Sequence, residues 1–284
     1  MKRCFLTFVL LVISIQIVAQ HKTKKVKLPA ELNEISGLEK FNDTTLIAIN
    51  DSGNSPTIFF INLQGQIIKK THVMDTPNID WEDLTMDDVG NLYIADVGNN
   101  NNIRKDLIVL KVNLNSAFMM DSIETEKINF TYKHANNTSF SLKKSAYDCE
   151  AIYWFNDSLR LLTKLRSKPA KNEEMNGTFE YALPTSPGNY NLVPNAHYWT
   201  GGNNKLKHQV TACDNTDEQL AILTYGFIYF YQLNESTKKS TESLQFLKLT
   251  QKEALVYFSA AKIFVAAEKH WLLGGPFLYS IELK

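Results

Sequence analysis

The sequence predicts an all-β fold, a β-propeller of five four-stranded blades. Three observations carry this prediction. Five apolar segments led by Glu or Gln recur along the chain, each runs through a polar turn into a second apolar strand, and one early strand has no hairpin partner of its own. Self-similarity with a period of about 40–50 residues marks a blade stacked around an axis, because one such unit cannot bury its apolar faces alone.

The first strands begin at Glu34, Glu82, Glu150, Gln209 and Glu253, which are 48, 68, 59 and 44 residues apart. Turn-forming residues follow each of them, at 42–43, 87–90, 156–158, 214–217 and 259–261, as a β-hairpin requires. Second strands are expected at 46–51, 91–96, 159–164, 220–225 and 263–268, and third strands at 57–63, 107–114, 178–183, 227–233 and 277–283. Fourth strands are expected at 67–73, 127–134, 190–199 and 243–249. The fifth repeat lacks one because the chain stops. Residues 24–28 are therefore expected to complete the last blade and close the ring without an open seam. A sixth blade is the alternative if 184–204 hides a degenerate one, and a β-sandwich shares the regular strand spacing. No helix is strongly signalled.

Met1-Lys2-Arg3, the apolar run 5–18 and Ala19-Gln20 follow the order of a secretory signal peptide, expected to be cut near Gln20 and to leave one domain over 21–284. The run is too short to span a bilayer, so a secreted or periplasmic protein with no stable membrane insertion is expected. The chain carries 30 basic and 30 acidic residues and no basic tract interleaved with aromatics, which disfavours nucleic acid as a partner. Cys149 and Cys213 form no metal-binding spacing, and the reading leaves open whether they are bridged or free.

Antiparallel pairing puts the start of a first strand beside the end of the second. Glu34 then neighbours Asp51, Glu82 neighbours Asp96, Glu150 neighbours Lys164, Gln209 neighbours Tyr225 and Glu253 neighbours Glu268. In a propeller these pairs converge on one mouth of the central channel. Crowded carboxylates need a cation, protons or hydrogen bonds to offset their repulsion, and Ca²⁺ takes oxygen ligands of this kind. Candidate metal ligands are thus Glu34, Asp51, Glu82, Asp96, Glu150, Glu253 and Glu268. The competing reading is structural, with the carboxylates bonded to backbone amides of the next blade. A duplicated Asp-x-Gly-Asn element, at 51–54 and 96–99, suits a turn that offers oxygens to a ligand. Trp81, Lys164, Arg104, Arg166 and His208 are the candidate ligand-binding residues at the same mouth.

Asp80-Trp81-Glu82-Asp83-Leu84, residues 90–96 and Asn50-Asp51-Ser52-Gly53-Asn54 resemble secreted bacterial propellers of the broad NHL-repeat, gluconolactonase-like and phytase-esterase-like group. For the gluconolactonase-like members the resemblance implies a divalent metal in the channel held by Glu, Asn and Asp. Propellers host both enzymes and binding platforms, so two readings stand. One is an extracytoplasmic module that binds a small molecule or protein at its acidic mouth with a divalent cation. The other is a metal-assisted hydrolase of lactones, esters or phosphoesters with Glu82 or Glu253 as base. No serine-hydrolase, P-loop or zinc-protease motif is present.

Overall fold

The computed structural model describes residues 22–133, 147–164, 177–201, 205–234, 240–246 and 250–283. Residues 1–20, read as a leader, and Arg166 lie outside the described residues.

The described chain opens with β1 (Thr23–Lys27). Blade 1 is β2 (Ile35–Asn42), β3 (Thr45–Asn50), β4 (Thr57–Asn62) and β5 (Ile67–Val73). Blade 2 starts with β6 (Trp81–Met86), β7 (Asn91–Asp96) and β8 (Leu107–Asn113). A short helix, α1 (Leu114–Met119), and β9 (Ser122–Ile123) come before its fourth strand, β10 (Glu126–Tyr132). Blade 3 is β11 (Asp148–Phe155), β12 (Ser158–Lys164) and β13 (Thr178–Pro184), then β14 (Gly188–Leu192) and β15 (Pro194–Tyr198). Blade 4 is β16 (Val210–Asn215), β17 (Gln219–Thr224), β18 (Phe227–Gln232) and β19 (Glu242–Gln245). Blade 5 is β20 (Lys252–Ser259), β21 (Lys262–Ala267) and β22 (Phe277–Glu282), completed by β1.

The ring therefore has five blades and closes as the sequence predicts. β1 runs antiparallel to β22, with Thr23 opposite Ile281 and Lys27 opposite Phe277. The first strands β2, β6, β11, β16 and β20 each pack against the next, and β20 returns to β2. Radial sheets bury both faces against neighbouring blades, which explains why the second strands are apolar throughout rather than alternating. Leu46, Ile47, Ala48 and Ile49 are all fully buried.

Five apolar clusters fill the five gaps between blades. One joins Ile47 and Phe60 of blade 1 to Trp81 and Leu84 of blade 2. Another joins Leu28, Leu32 and Leu38 to Ala254, Val256 and Leu278, and so locks the closing segment into the core. The turns have the expected chemistry. Asp87 Oδ1 accepts the Val89 and Asn91 amides at 3.1 and 2.7 Å, and Gly90 takes φ +88°.

The expected fourth strand at 190–199 is in fact two strands. β14 leaves blade 3 and adds in parallel to β10 of blade 2, and only β15 returns to pair with β13. β9 likewise leaves blade 2 and adds in parallel to β5 of blade 1. The outer strands β5 and β10 of blades 1 and 2 are thereby covered by short strands of chain from the following blade, which leaves β9 and β14 as the sheet edges. Cys149 and Cys213 are both free and buried, and burial pushes their thiols well up. Among the described residues no helix is long and apolar enough to cross a membrane.

If β1 and Leu28 close the ring, deleting residues 22–28 removes an outer strand together with the buried Leu28 side chain. A loss of at least about 3 kcal/mol is expected, read as a lower midpoint in urea unfolding, since truncating one buried leucine alone costs about 2–5 kcal/mol.

Candidate functional site

All five first strands carry a β-bulge near their start. The register shifts between Ile35 and Gly37, Trp81 and Asp83, Cys149 and Ala151, Val210 and Ala212, and Lys252 and Ala254. A bulge frees one residue from the ladder and re-aims its side chain. The freed residues are Ser36, Glu82, Glu150, Thr211 and Glu253.

This register corrects the repeat frame read from the sequence. Glu82, Glu150 and Glu253 are equivalent, but Glu34 and Gln209 lie two places earlier. Glu34 is instead equivalent to Asp80: the Asp51 amide donates to the Glu34 carbonyl at 2.8 Å, and the Val97 amide donates to the Asp80 carbonyl at 3.1 Å. Asp80 and Asp148 thus belong to the mouth and were missed. The detectable signal was the small-then-large pair in each strand, Gly37-Leu38, Asp83-Leu84, Ala151-Ile152, Ala212-Cys213 and Ala254-Leu255, which aligns the bulges correctly.

The mouth carboxylates do converge. Carboxylate oxygens of Asp51, Asp80 and Glu82, from blades 1 and 2, lie within 4.8 Å of one another. Burial raises the Asp51 pKa, with Glu34 adding to it. Burial and then Asp51 push Asp80 up to about 6, against the pull of Arg104. Glu82 is raised well above the usual range by burial, then by Glu150, Asp51 and Asp80. Gly98 closes the wall here: a Cβ on it would collide with Glu82 Oε1 and Asp80 Oδ2.

Opposite the triad, Lys164 Nζ donates to Glu150 Oε2 at 2.6 Å and lies 3.4 Å from the Tyr225 hydroxyl. Burial lifts Glu150 to about 7 even with Lys164 opposing it. Glu253 is raised well above the usual range by burial, with Lys164 opposing and Glu268 and Glu150 reinforcing. Burial, then Asp51 and Glu34, bring Glu268 to about 8.

Other predicted residues have different places. Asp96 is clamped: Oδ2 accepts the Ile79 amide at 3.2 Å, and Oδ1 accepts the Asp80 amide at 3.1 Å and Arg104 Nη2 at 2.9 Å. It positions Asp80 and is engaged by these three hydrogen bonds. Arg104 is held by Asp96, the Gly98 carbonyl and Asp106. Trp81 is fully buried between blades 1 and 2, so it is a packing residue and offers no ring face at the mouth. The His208 ring stacks on Phe227 and its Nδ1 meets the Tyr229 hydroxyl at 2.8 Å, which commits it to packing on blade 4. Glu34 is exposed and accepts Asn54 Nδ2 at 2.6 Å. The duplicated Asp-x-Gly-Asn element is not a structural repeat, because Asn50 is level with Asp96, one residue out of phase.

No family model matches the chain, and no curated protein matches it. Solved structures do. A glutaminyl cyclase from Myxococcus xanthus superposes with TM-score 0.55 at 9% identity, covering 92% of this chain and 96% of that one. The PQQ-bound aldose sugar dehydrogenase from Streptomyces coelicolor gives 0.49 at 10% identity over 92% and 98%. A luciferin-regenerating enzyme gives 0.49 at 10% identity over 92% and 95%. The likeness to the cyclase agrees with the propeller described above, and at such identity it speaks for the fold alone.

Each raised carboxylate binds a proton more tightly folded than unfolded. Stability of the metal-free protein is therefore fullest below about pH 4 to 5 with respect to these groups and is lost as pH rises through 6 to 8, where Asp80, Glu150 and Glu268 ionise. Thermal midpoints measured in chelator from pH 5 to 8 are expected to fall. The same series for Asp80→Asn should fall less steeply.

Proposed function

We propose that the protein is an extracytoplasmic propeller that holds a divalent cation, Ca²⁺ in the first instance, at Asp51, Asp80 and Glu82, and binds a small molecule or protein over that mouth. One observation carries the reading: three carboxylates from two blades gather within 4.8 Å of each other with the nearby cation Arg104 already committed to Asp96. Burial raises all three, and Asp51 adds repulsion to both Asp80 and Glu82. A hard divalent ion relieves that repulsion while accepting carboxylate oxygens and water. The gluconolactonase-like resemblance in the sequence supports the same ion chemistry.

A metal-assisted hydrolase is the second reading, favoured by Glu253 and Glu268. Burial brings Glu268 to about 8, so it carries a proton near neutral pH, and raises Glu253 well above the usual range, which suits a general acid across the mouth from a metal. Glu82 serves this reading as a metal ligand rather than as the base.

Calcium titration by calorimetry is expected to show one site, weakened at least tenfold by Asp80→Asn or Glu82→Gln. Gly98→Ala should weaken it as strongly without removing any ligand group, because its methyl displaces both carboxylates. Wild-type protein that takes up no Ca²⁺, Mg²⁺ or Mn²⁺ would falsify the cation reading. An ester, lactone and phosphoester panel tests the second reading, whose turnover must require both the metal and Glu253.

A further inference from the structure

The loop from β21 to β22 opens on the same face as the carboxylates, since it begins at Glu268. It forms a tight hairpin. His270 and Gly274 exchange both backbone hydrogen bonds at 2.9 Å, and His270 Nδ1 accepts the amides of Leu272 and Leu273 at 3.2 Å. Its base is anchored on both sides. The Lys269 amide donates to the Asn33 carbonyl of the segment before Glu34, and Gly275 sits so close to the Glu268 carbonyl that a Cβ there would lie 2.9 Å from it.

What this hairpin presents is apolar. Trp271 is 86% exposed, Leu272 68% and Leu273 45%, and the His270 ring stacks on the indole at 5.9 Å. A scattered exposed leucine needs no explanation, but three consecutive large apolar residues on an ordered tip form a patch of the kind that marks an interaction site. Exposed Ile79 and Ile103, in the loops that lead into and out of the triad, add apolar side chains on the opposite rim.

The centre of the mouth is acidic. Glu253, Glu268 and Glu34 are left over once Asp51, Asp80 and Glu82 are assigned to the cation and Glu150 to Lys164. Trp271 is three positions after Glu268, so at most about 11 Å of chain lies between their Cα atoms. That is the reach of a basic side chain and an apolar neighbour on one extended strand.

We infer that the mouth and the hairpin together bind a segment of a partner polypeptide. A lysine or arginine side chain enters beside Glu253 and Glu268, and an adjacent apolar side chain lies on Trp271. An entering cationic side chain pairs with these carboxyls in their ionised form, whereas an acidic one adds to the repulsion from Asp51 and Glu34, so a basic occupant is selected over an acidic one. The breadth of the apolar rim, on two sides of the channel, fits a chain better than a single ammonium ion. This inference rests on the reading that the mouth is the ligand site, but not on the cation.

The test uses fluorescence anisotropy with the hexapeptide Gly-Leu-Lys-Leu-Lys-Gly, a serine-for-leucine relative and a glutamate-for-lysine relative, each labelled with fluorescein. Calcium-loaded and chelated protein are compared. The leucine–lysine peptide is expected to bind at least tenfold more tightly than either relative, and to lose at least tenfold in Trp271→Ala and in Glu268→Gln. Trp271→Ala should keep the wild-type calcium stoichiometry, so loss of peptide binding with calcium uptake intact separates this site from the cation site. Equal affinity for all three peptides, no binding, or no effect of Trp271→Ala overturns the inference. Binding to phosphatidylcholine vesicles that Trp271→Ala abolishes also overturns it and assigns the hairpin to a lipid surface.

Discussion

A ring of radial sheets leaves one strand edge per blade facing the axis, and the structure depends on how those edges are satisfied. An unpaired buried amide costs on the order of 1–3 kcal/mol, so five inner edges would be expensive if left bare. Here side chains of one blade serve the next. Asp83 of blade 2 accepts the Ile152 amide of blade 3 at 3.1 Å and reaches the Cys213 amide of blade 4 at 3.4 Å. Thr85 Oγ1 accepts the Trp154 amide, Asp214 accepts the Tyr257 amide at 2.6 Å, and Thr211 donates to the Lys252 carbonyl. Glu39 similarly bonds the Met86 amide.

Two tiers of acidic residues follow, with different fates. The deep tier, Asp83, Asp214 and Glu39, is buried yet supplied with amides, so its charge or proton is used to hold blades together. The upper tier begins where the bulges turn Glu82, Glu150 and Glu253 away from the ladder. There Glu150 pairs with Lys164 and repels both Glu82 and Glu253, and the pKa values of all three rise chiefly through burial. On blade 2 the two fates are adjacent in the chain, with Asp83 structural and Glu82 a candidate for chemistry.

How much of this was legible in the sequence follows from the same geometry. Blade number, the closing role of residues 24–28 and the convergence of Asp51, Glu82, Glu150, Lys164, Glu253 and Glu268 all depend on hairpin pairing, which apolar runs and turn residues encode locally. Asp80 was hidden because Glu34, two places before the bulge of its strand, aligns by letter with Glu82, which is itself the bulged residue, and a column built on identical Glu letters cannot see that two-residue offset. Trp81 and His208 carry side chains suited to binding, but whether they face a channel or a neighbouring blade is decided by packing partners far along the chain. The departure of β14 to blade 2 was equally invisible, because its pairing partner β10 lies some sixty residues earlier.

The mouth is electrostatically divided, and the division explains why one cation does not neutralise it. Lys164 stands at the end of β12 where blade 1 has Asp51 and blade 5 has Glu268, so a single position in the repeat carries opposite charges on different blades. On the blade 3 side Lys164 offsets Glu150 within hydrogen-bonding distance. On the blade 1–2 side Arg104 is drawn back by Asp96 and only partly offsets Asp80. Between them Glu253 and Glu268 are near enough to Lys164 to feel it, yet burial raises Glu253 well above the usual carboxylate range and Glu268 to about 8. A ligand that supplies positive charge to the first half and an apolar or cationic group to the second is what such a surface is built to distinguish from an acidic one.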